Sequence, residues 1–170
     1  MNHLAAIHGL DPGFVEAVVA ALRSRGDTVA TAESLTGGLV CAMLTSVPGS
    51  SAVVRGGLVV YATALKASLA GVDAGDLHRL GAVDPVIAEQ LARGARERCD
   101  ATWGLGLTGV AGPDPQDGIA PGTVYIGVAG PDEVEVRAIQ GHGGDRHEIR
   151  SAAVGLALSL LWLRLQATAG

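Results

Sequence analysis

Helical and extended segments alternate along this chain, and that order restricts its fold more than any other feature of the sequence. Apolar residues recur at helical spacing over residues 14–22, directly after the helix start signal Asp11-Pro12, and Gly26 ends that helix. A β-branched run then begins at Thr28 and predicts the first strand. A helix followed at once by a strand is the first unit of an alternating α/β chain.

The rest of the chain continues this alternation. The last two predicted strands form a hairpin across the turn at residues 130–132. The segment between Lys66 and Gly81 is predicted to be a connection without a helix. Four further helices are predicted: one at residues 37–45, a short one at Lys66, one from Asp84-Pro85 to about Cys99, and one that starts near Asp145. Four further strands are predicted: one that ends at Tyr61, and three that span residues 101–107, 123–128 and 134–139.

This order predicts a three-layer α/β/α fold with a mostly parallel, mixed sheet and one antiparallel strand from the hairpin. The chain has 170 residues, no internal repeat and no long linker, so we expect a single domain over residues 1–170. Only 3% of the residues are aromatic, while 48% are hydrophobic. The core must therefore consist mainly of Ala, Val and Leu.

Charge and hydropathy narrow the classes of function. The net charge of −5 argues against a general nucleic-acid binder, which needs a basic surface. The most hydrophobic run, residues 152–163, is too short to span a bilayer and predicts a buried or dimer-forming helix, which leaves a homodimer open. Cys41 and Cys99 are expected in helix cores, and a cytoplasmic location fits because no signal peptide is recognisable.

The strongest chemical signal is the strand-to-helix junction TAESLTGG at residues 31–38. A serine on such a turn exposes its hydroxyl, and backbone N–H groups at a helix start can face a bound oxygen. Ser34 is therefore a candidate nucleophile, with an oxyanion site around Thr36, Gly37 and Gly38. The alternative is that Ser34 and Thr36 only cap the following helix.

A second cluster, RGGLVVYATALK at residues 55–66, predicts a strand that runs into a helix. Tyr61 would lie at the end of the strand and Lys66 on the first or second turn of the helix. A neutral lysine beside a serine can act as its general base, which requires burial or a nearby cation. The alternative for Lys66 is a solvated helix residue, and for Tyr61 a half-buried strand aromatic.

A third segment, GLGLTGVAGPDP at residues 104–115, contains a literal G-x-G-x-x-G. The dinucleotide-binding interpretation is rejected, because that fingerprint needs a helix directly after the turn and residues 112–115 forbid one. A rigid loop that lines a small polar ligand, with Thr108 at its start, is the functional interpretation, and a plain connection is the alternative. Ser34, Tyr61 and Thr108 then all lie at the carboxyl ends of strands, where α/β sheets bind ligands.

These motifs resemble the C-terminal domain family of the competence/damage-inducible protein CinA, the nicotinamide-nucleotide amidohydrolases. The similarity runs in order through nearly all of residues 13–165, in the segments TAESLTGG, VPGSSAVVRGGLVVYATALKASLAGV, GAVDPVIAEQLA, GLTGVAGPD, PGTVYIGVA and GGDRHEIR. It departs from the family pattern at Asp84 and at His142-Gly143, outside the catalytic positions. Longer relatives carry an additional N-terminal domain resembling molybdopterin-binding proteins, which we do not expect within these 170 residues.

The resemblance implies hydrolysis of the carboxamide of nicotinamide mononucleotide to nicotinic acid mononucleotide and ammonia, a step of pyridine nucleotide salvage. It implies a catalytic set of Ser34, Tyr61 and Lys66, without a metal or an organic cofactor. His142 and His147 flank Asp145 at a spacing loosely compatible with a metal, but the sequence supplies no convincing third ligand. Candidate contacts to the ribose and phosphate are polar loop residues: Ser50, Ser51, Thr108, Gly109, Asp145 and Arg146.

Two other classes of function stay open at this point. One is a non-catalytic ligand-binding or regulatory module, which the family's link to competence and DNA damage suggests. The other is a Ser-Lys amidase or peptidase that acts on a different amide. An intact set of Ser34, Tyr61 and Lys66 argues against the first and leaves the second possible.

Overall fold

The computed structural model describes residues 3–167, so the extreme ends of the predicted 1–170 domain lie outside the described residues. Its elements alternate as the sequence predicts. They are α1 (His3–Ile7), α2 (Pro12–Arg25), β1 (Val29–Glu33), α3 (Leu39–Thr45), a 3-10 turn (Ser50–Ala52), β2 (Val54–Val59), α4 (Thr63–Ser68), α5 (Ala74–Leu80), α6 (Pro85–Arg98), β3 (Trp103–Gly109), β4 (Val124–Ala129), β5 (Val134–Ile139) and α7 (Arg146–Ala167).

The five strands form one sheet in the order β2-β1-β3-β4-β5. β1 pairs in parallel with both β2 and β3, whereas β4 is antiparallel to β3 and to β5. β4 is therefore the one strand of the described sheet that runs opposite to the others, and the predicted mixed sheet with one antiparallel hairpin strand is confirmed. The carboxyl ends of β1, β2, β3 and β5 consequently meet at one edge, which we call the carboxyl edge.

Helices cover both faces of the sheet. One core packs α2, α3 and α7 against a face of mostly aliphatic side chains, including Val29, Leu105 and Leu107. The second core packs α6 and the segment after α4 against Ala30 and Ala32. The structure thus has the predicted three layers. Among the described residues, no helix is both long and apolar enough to cross a membrane.

Helix α6 lies unusually close to the sheet because glycines face it. A methyl group on Gly106 would lie 2.5 Å from the Ala88 carbonyl oxygen, and one on Gly127 would lie at the same distance from that atom. Backbone atoms cannot move aside as a flexible side chain can. Two glycines of the apparent dinucleotide fingerprint, Gly104 and Gly106, therefore serve close helix-to-strand packing.

Three local predictions are wrong. The helix expected at residues 37–45 begins only at Leu39, because Gly37 and Gly38 have φ values of 63° and 93°, in the left-handed region. The segment before Gly81 contains the short helix α5, which Asp73 caps through a hydrogen bond to the Asp76 N–H. None of the side chains of α5 is buried, so the segment lacks the apolar periodicity by which a helix is predicted from sequence.

The third concerns the two cysteines. Cys41 and Cys99 are free thiols that are only partly buried, so neither is a core residue as predicted, although Cys99 packs against the edge of the second core. Burial still raises the pKa of the Cys41 thiol, and the negative charge of Glu33 adds to that effect.

Candidate active site

A cavity of about 450 Å³ opens at the carboxyl edge of the sheet. The segments that follow β1, β2 and β3 line it, together with the start of α7, because parallel strands deliver their following loops to the same edge. The lining residues include Ser34, Leu35, Tyr61, Ala62, Thr63, Lys66, Val83, Thr108, Gly109, Val110, Asp114 and Arg146.

Lys66 is buried at the base of this cavity, with 1% of its surface exposed. Its Nζ donates hydrogen bonds to Ser34 Oγ at 3.0 Å and to the Val60 carbonyl oxygen at 3.1 Å. Burial lowers the pKa of Lys66 from 10.5 to about 8, because removal from water penalises the ammonium form. The interpretation of Lys66 as a solvated helix residue is therefore wrong.

Ser34 lies just past the end of β1, and its side chain does not cap a helix. Its N–H donates to the Leu107 carbonyl oxygen at 3.0 Å, which continues the pairing of β1 with β3. The cap residue of α3 is Gly38, and α3 has no side-chain cap from Ser34 or Thr36. Thr36 Oγ1 is buried without a hydrogen-bond partner among the described residues. The capping alternative for these two hydroxyls is thus not supported.

Tyr61 and Arg146 bridge the mouth of the cavity. The Tyr61 side chain is largely exposed, and its hydroxyl accepts a hydrogen bond from Arg146 Nη2 at 3.0 Å. Arg146 Nη1 donates to the Gly112 carbonyl oxygen at 2.9 Å. Within the described part of the chain, the Tyr61 hydroxyl makes no hydrogen bond to Ser34 or Lys66. The residue in direct hydrogen-bond contact with Ser34 is therefore Lys66 rather than Tyr61.

Thr108 and Gly109 both line the cavity, as the sequence predicts. Thr108 is 1% exposed, and its Oγ1 donates to the Ala82 carbonyl oxygen at 2.6 Å. This bond ties the end of β3 to the loop after α5. The hydroxyl proton is therefore engaged within the protein, and only its oxygen lone pairs can accept a hydrogen bond from a ligand.

The predicted oxyanion site needs correction at two of its three positions. The Gly37 N–H donates to the Ser34 carbonyl oxygen at 3.0 Å, and the Gly38 N–H donates to Glu33 Oε2 at 3.1 Å. Among the described residues, the N–H groups of Leu35 and Thr36 make no hydrogen bond. The free donors at this turn are thus Thr36, as predicted, and Leu35, one residue before the predicted positions.

Three of the six candidate contacts to the ribose and phosphate lie outside the cavity. Ser50 and Ser51 precede β2, so they lie at the amino end of a parallel strand, opposite the carboxyl edge. Ser50 Oγ donates to the Thr45 carbonyl oxygen instead. Asp145 is close to Arg146 in sequence, but its carboxylate accepts a hydrogen bond from the Glu148 N–H at the start of α7. None of these three is among the residues that line the cavity.

Sequence reasoning missed two acidic residues at this site. Glu33 is fully buried directly before Ser34, and a carboxylate inside a β-branched run was the signal that could have revealed it. Asp114 lines the cavity from a loop position between Pro113 and Pro115. Among the described residues, no group of three or more His, Cys, Asp and Glu side chains is placed to hold a metal ion.

Comparisons with known proteins identify relatives of this chain. Residues 13–165 match the model of the CinA C-terminal domain family. A CinA-like protein of Frankia casuarinae is 49% identical over 153 residues, which cover 90% of this chain and 35% of the relative. A CinA-like protein of Nostoc sp. is 46% identical over 85% of this chain and 37% of the relative. The chain thus spans about a third of the length of these relatives.

Solved structures support the same relationship. The competence/damage inducible protein CihA from Agrobacterium tumefaciens superposes with a TM-score of 0.86 at 34% identity, over 91% of this chain and 94% of that one. A CinA superfamily protein from Klebsiella pneumoniae superposes with a TM-score of 0.87 at 27% identity, over 92% and 98% of the two chains.

Proposed function

Because the chain belongs to the CinA C-terminal domain family, we propose that it is a nicotinamide-nucleotide amidohydrolase. It would hydrolyse the carboxamide of nicotinamide mononucleotide to nicotinic acid mononucleotide and ammonia. The single observation that carries this proposal is the 3.0 Å contact between Lys66 Nζ and Ser34 Oγ inside the cavity. A serine in hydrogen-bond contact with a buried lysine has the arrangement that a nucleophile and its general base require.

In the proposed reaction, the neutral Lys66 amine accepts the proton of Ser34 Oγ as that oxygen attacks the carboxamide carbon. The tetrahedral intermediate collapses as Lys66 returns the proton to the leaving nitrogen, so ammonia departs and an ester of Ser34 remains. Water then attacks this ester, again with Lys66 as the base. The products are the free acid and the regenerated serine, and the steps need no oxidant, reductant or co-reactant besides water.

The oxyanion is best stabilised by the N–H group of Leu35, since Thr36 is fully buried outside the cavity lining and the N–H groups of Gly37 and Gly38 have internal acceptors. The N–H of the residue after a nucleophilic serine is a common member of such sites. Leu35 also lines the cavity. Each correctly placed donor of this kind contributes roughly a hundredfold or more to kcat.

The remaining lining suits a pyridine nucleotide. Apolar side chains, among them Leu35, Val83 and Val110, offer a surface for a flat ring. Within the described residues, Arg146 donates hydrogen bonds to the Tyr61 hydroxyl and the Gly112 carbonyl oxygen, which are not carboxylates, so its guanidinium charge is available to a phosphate. Tyr61 then positions Arg146 rather than taking the proton of Ser34.

The decisive experiment measures ammonia release from four amides: nicotinamide mononucleotide, nicotinamide riboside, nicotinamide and glutamine. We expect rapid release from the nucleotide, much slower release from the riboside and nicotinamide, and none from glutamine. Ser34→Ala is the matched control for contaminating activity. Preference for another amide would indicate a different Ser-Lys amidase. No release from any of them, with the nucleotide still bound, would favour a ligand-binding module.

A further inference from the structure

Glu33 is a fully buried carboxylate whose two oxygens accept four hydrogen bonds. Oε1 accepts from Thr31 Oγ1 at 3.0 Å and from the Cys41 N–H at 2.9 Å. Oε2 accepts from the N–H groups of Gly38 and Val40, each at 3.1 Å. Three of the donors belong to the first turn of α3, so this carboxylate satisfies N–H groups that a helix leaves without partners.

The main chain of Glu33 is fixed on the other side of the turn. Its carbonyl oxygen accepts a hydrogen bond from the Val60 N–H at 2.8 Å, which extends the pairing of β1 with β2. Residues 34–37 therefore form a short turn, and Glu33 fixes both of its ends. The main chain of Glu33 pairs with the sheet at the start of the turn, and its side chain binds the N–H groups at the start of α3, where the turn ends.

Only a carboxylate suits this position. All four neighbours of the side chain are donors, and an ionised carboxylate is acceptor-only, with about four lone-pair sites. A glutamine would direct an N–H₂ group at two of those donors. The carboxylate also occupies the positive end of the α3 dipole, which keeps other anions away from the first turn of that helix.

We propose that Glu33 is a positioning residue for the nucleophile, because it fixes the turn that holds Ser34 Oγ on Lys66 Nζ. This inference rests on the proposed function, in which Ser34 attacks. Glu33 itself does not touch the substrate. It acts through the backbone of residues 34–38, so its loss should lower the rate of attack more than the affinity for substrate.

The test compares Glu33→Gln with Thr31→Val, which removes one of the four donors and leaves the carboxylate in place. Asp11→Asn is the matched control, because Asp11 also caps a helix through its carboxylate, at the Gly13 N–H, but outside the cavity. Three quantities are measured for each variant well below its melting temperature: kcat, KM and the rate at which a fluorophosphonate labels Ser34.

We expect Glu33→Gln to lower kcat and the labelling rate together by about tenfold or more, with KM nearly unchanged, because small displacements of a reacting group are costly. Thr31→Val should give a smaller loss of both, and it carries the test if Glu33→Gln fails to fold. Asp11→Asn should lose stability only. Wild-type labelling of folded Glu33→Gln, or unchanged rates in Thr31→Val when Glu33→Gln is unfolded, would overturn the proposal.

The labelling assay separates this proposal from the proposed function. A wild-type protein that is labelled at Ser34 but releases no ammonia from nicotinamide mononucleotide would overturn the substrate assignment. The effect of Glu33→Gln on labelling would still decide whether Glu33 positions the serine, since the reagent only requires Ser34 Oγ to displace fluoride from phosphorus.

Discussion

Lys66 Nζ lies 3.0 Å from Ser34 Oγ, although 32 positions separate the two residues in the sequence. β1 delivers the serine and the helix after β2 delivers the lysine, and the parallel pairing of these two strands brings them to one edge. The lysine has no carboxylate among its hydrogen-bond partners in the described chain. A buried amine without a carboxylate partner lowers the stability of the protein, and its lowered pKa suits it to act as a base.

Ser34→Ala should abolish ammonia release while the protein stays folded. The substitution removes a hydroxyl that accepts one hydrogen bond from Lys66 and caps no helix. We therefore expect a change in the free energy of unfolding below the roughly 1 kcal/mol that is typical of a lost helix cap. Urea unfolding and a coupled ammonia assay measure both effects. Retained turnover would show that Ser34 is not the nucleophile.

Lys66→Arg should be as inactive as Lys66→Ala. A guanidinium stays protonated at any working pH, so it cannot accept the proton of Ser34 even though it keeps the positive charge. The measurement is kcat for both variants, with circular dichroism to verify folding. Near wild-type activity of the arginine variant would remove Lys66 from the mechanism.

The rate of the proposed reaction should depend on the ionisation of Lys66 in the wild-type protein. Its pKa is lowered to about 8 by burial, and only the neutral amine is a base. We expect kcat/KM to rise about tenfold per pH unit below pH 8 and to level off above it. A profile of kcat/KM from pH 6 to pH 10 tests this expectation. A flat profile through this range would contradict a lysine base.

Lys66→Met should stabilise the protein at neutral pH. The pKa of Lys66 is about 8 in the folded chain and near 10.5 when unfolded, so below pH 8 the ammonium is charged in both states and its burial cost is fully present. Between these values the unfolded chain binds more protons, so wild-type stability rises with pH. The difference in pKa corresponds to about 3 kcal/mol, which is the upper limit of the pH-dependent part of the gain.

Urea unfolding of wild type and Lys66→Met at pH 7 and pH 10 measures this effect. The advantage of the variant should be largest at pH 7 and should shrink at pH 10, where the wild-type amine is neutral when folded. A variant that is less stable than wild type at both values would mean that the two hydrogen bonds of Lys66 outweigh its desolvation.

Gly106→Ala should destabilise the protein by about 3 kcal/mol or more, at the upper end of the usual cost of overpacking. The added methyl group would lie 2.5 Å from the Ala88 carbonyl oxygen and 2.8 Å from the Leu91 carbonyl carbon, both in the backbone of α6. Gly143→Ala is the control, because a Cβ there meets nothing within 4 Å. Thermal melting of the two variants should differ clearly, and equal melting temperatures would contradict the close packing of α6.

The sequence by itself determined the order of all the strands and of most helices, the mixed sheet and the edge at which the candidate site lies. Local signals suffice for these features: Asp11 and Gly26 bound α2, and the hairpin turn after β4 sets the one antiparallel strand. The motifs around Ser34, Lys66 and Thr108 were likewise visible, because parallel strands place their carboxyl ends together whatever their exact packing.

Only the tertiary structure decided which atoms meet. In the structure Lys66, rather than Tyr61, makes a hydrogen bond to Ser34, and the Tyr61 hydroxyl accepts one from Arg146. Ser50 lies at the opposite end of β2 from the cavity. Sequence spacing does not specify side-chain burial or hydrogen-bond partners between distant segments. For the same reason the sequence does not reveal that the Glu33 carboxylate accepts hydrogen bonds from the N–H groups of Gly38, Val40 and Cys41, which lie five to eight positions later.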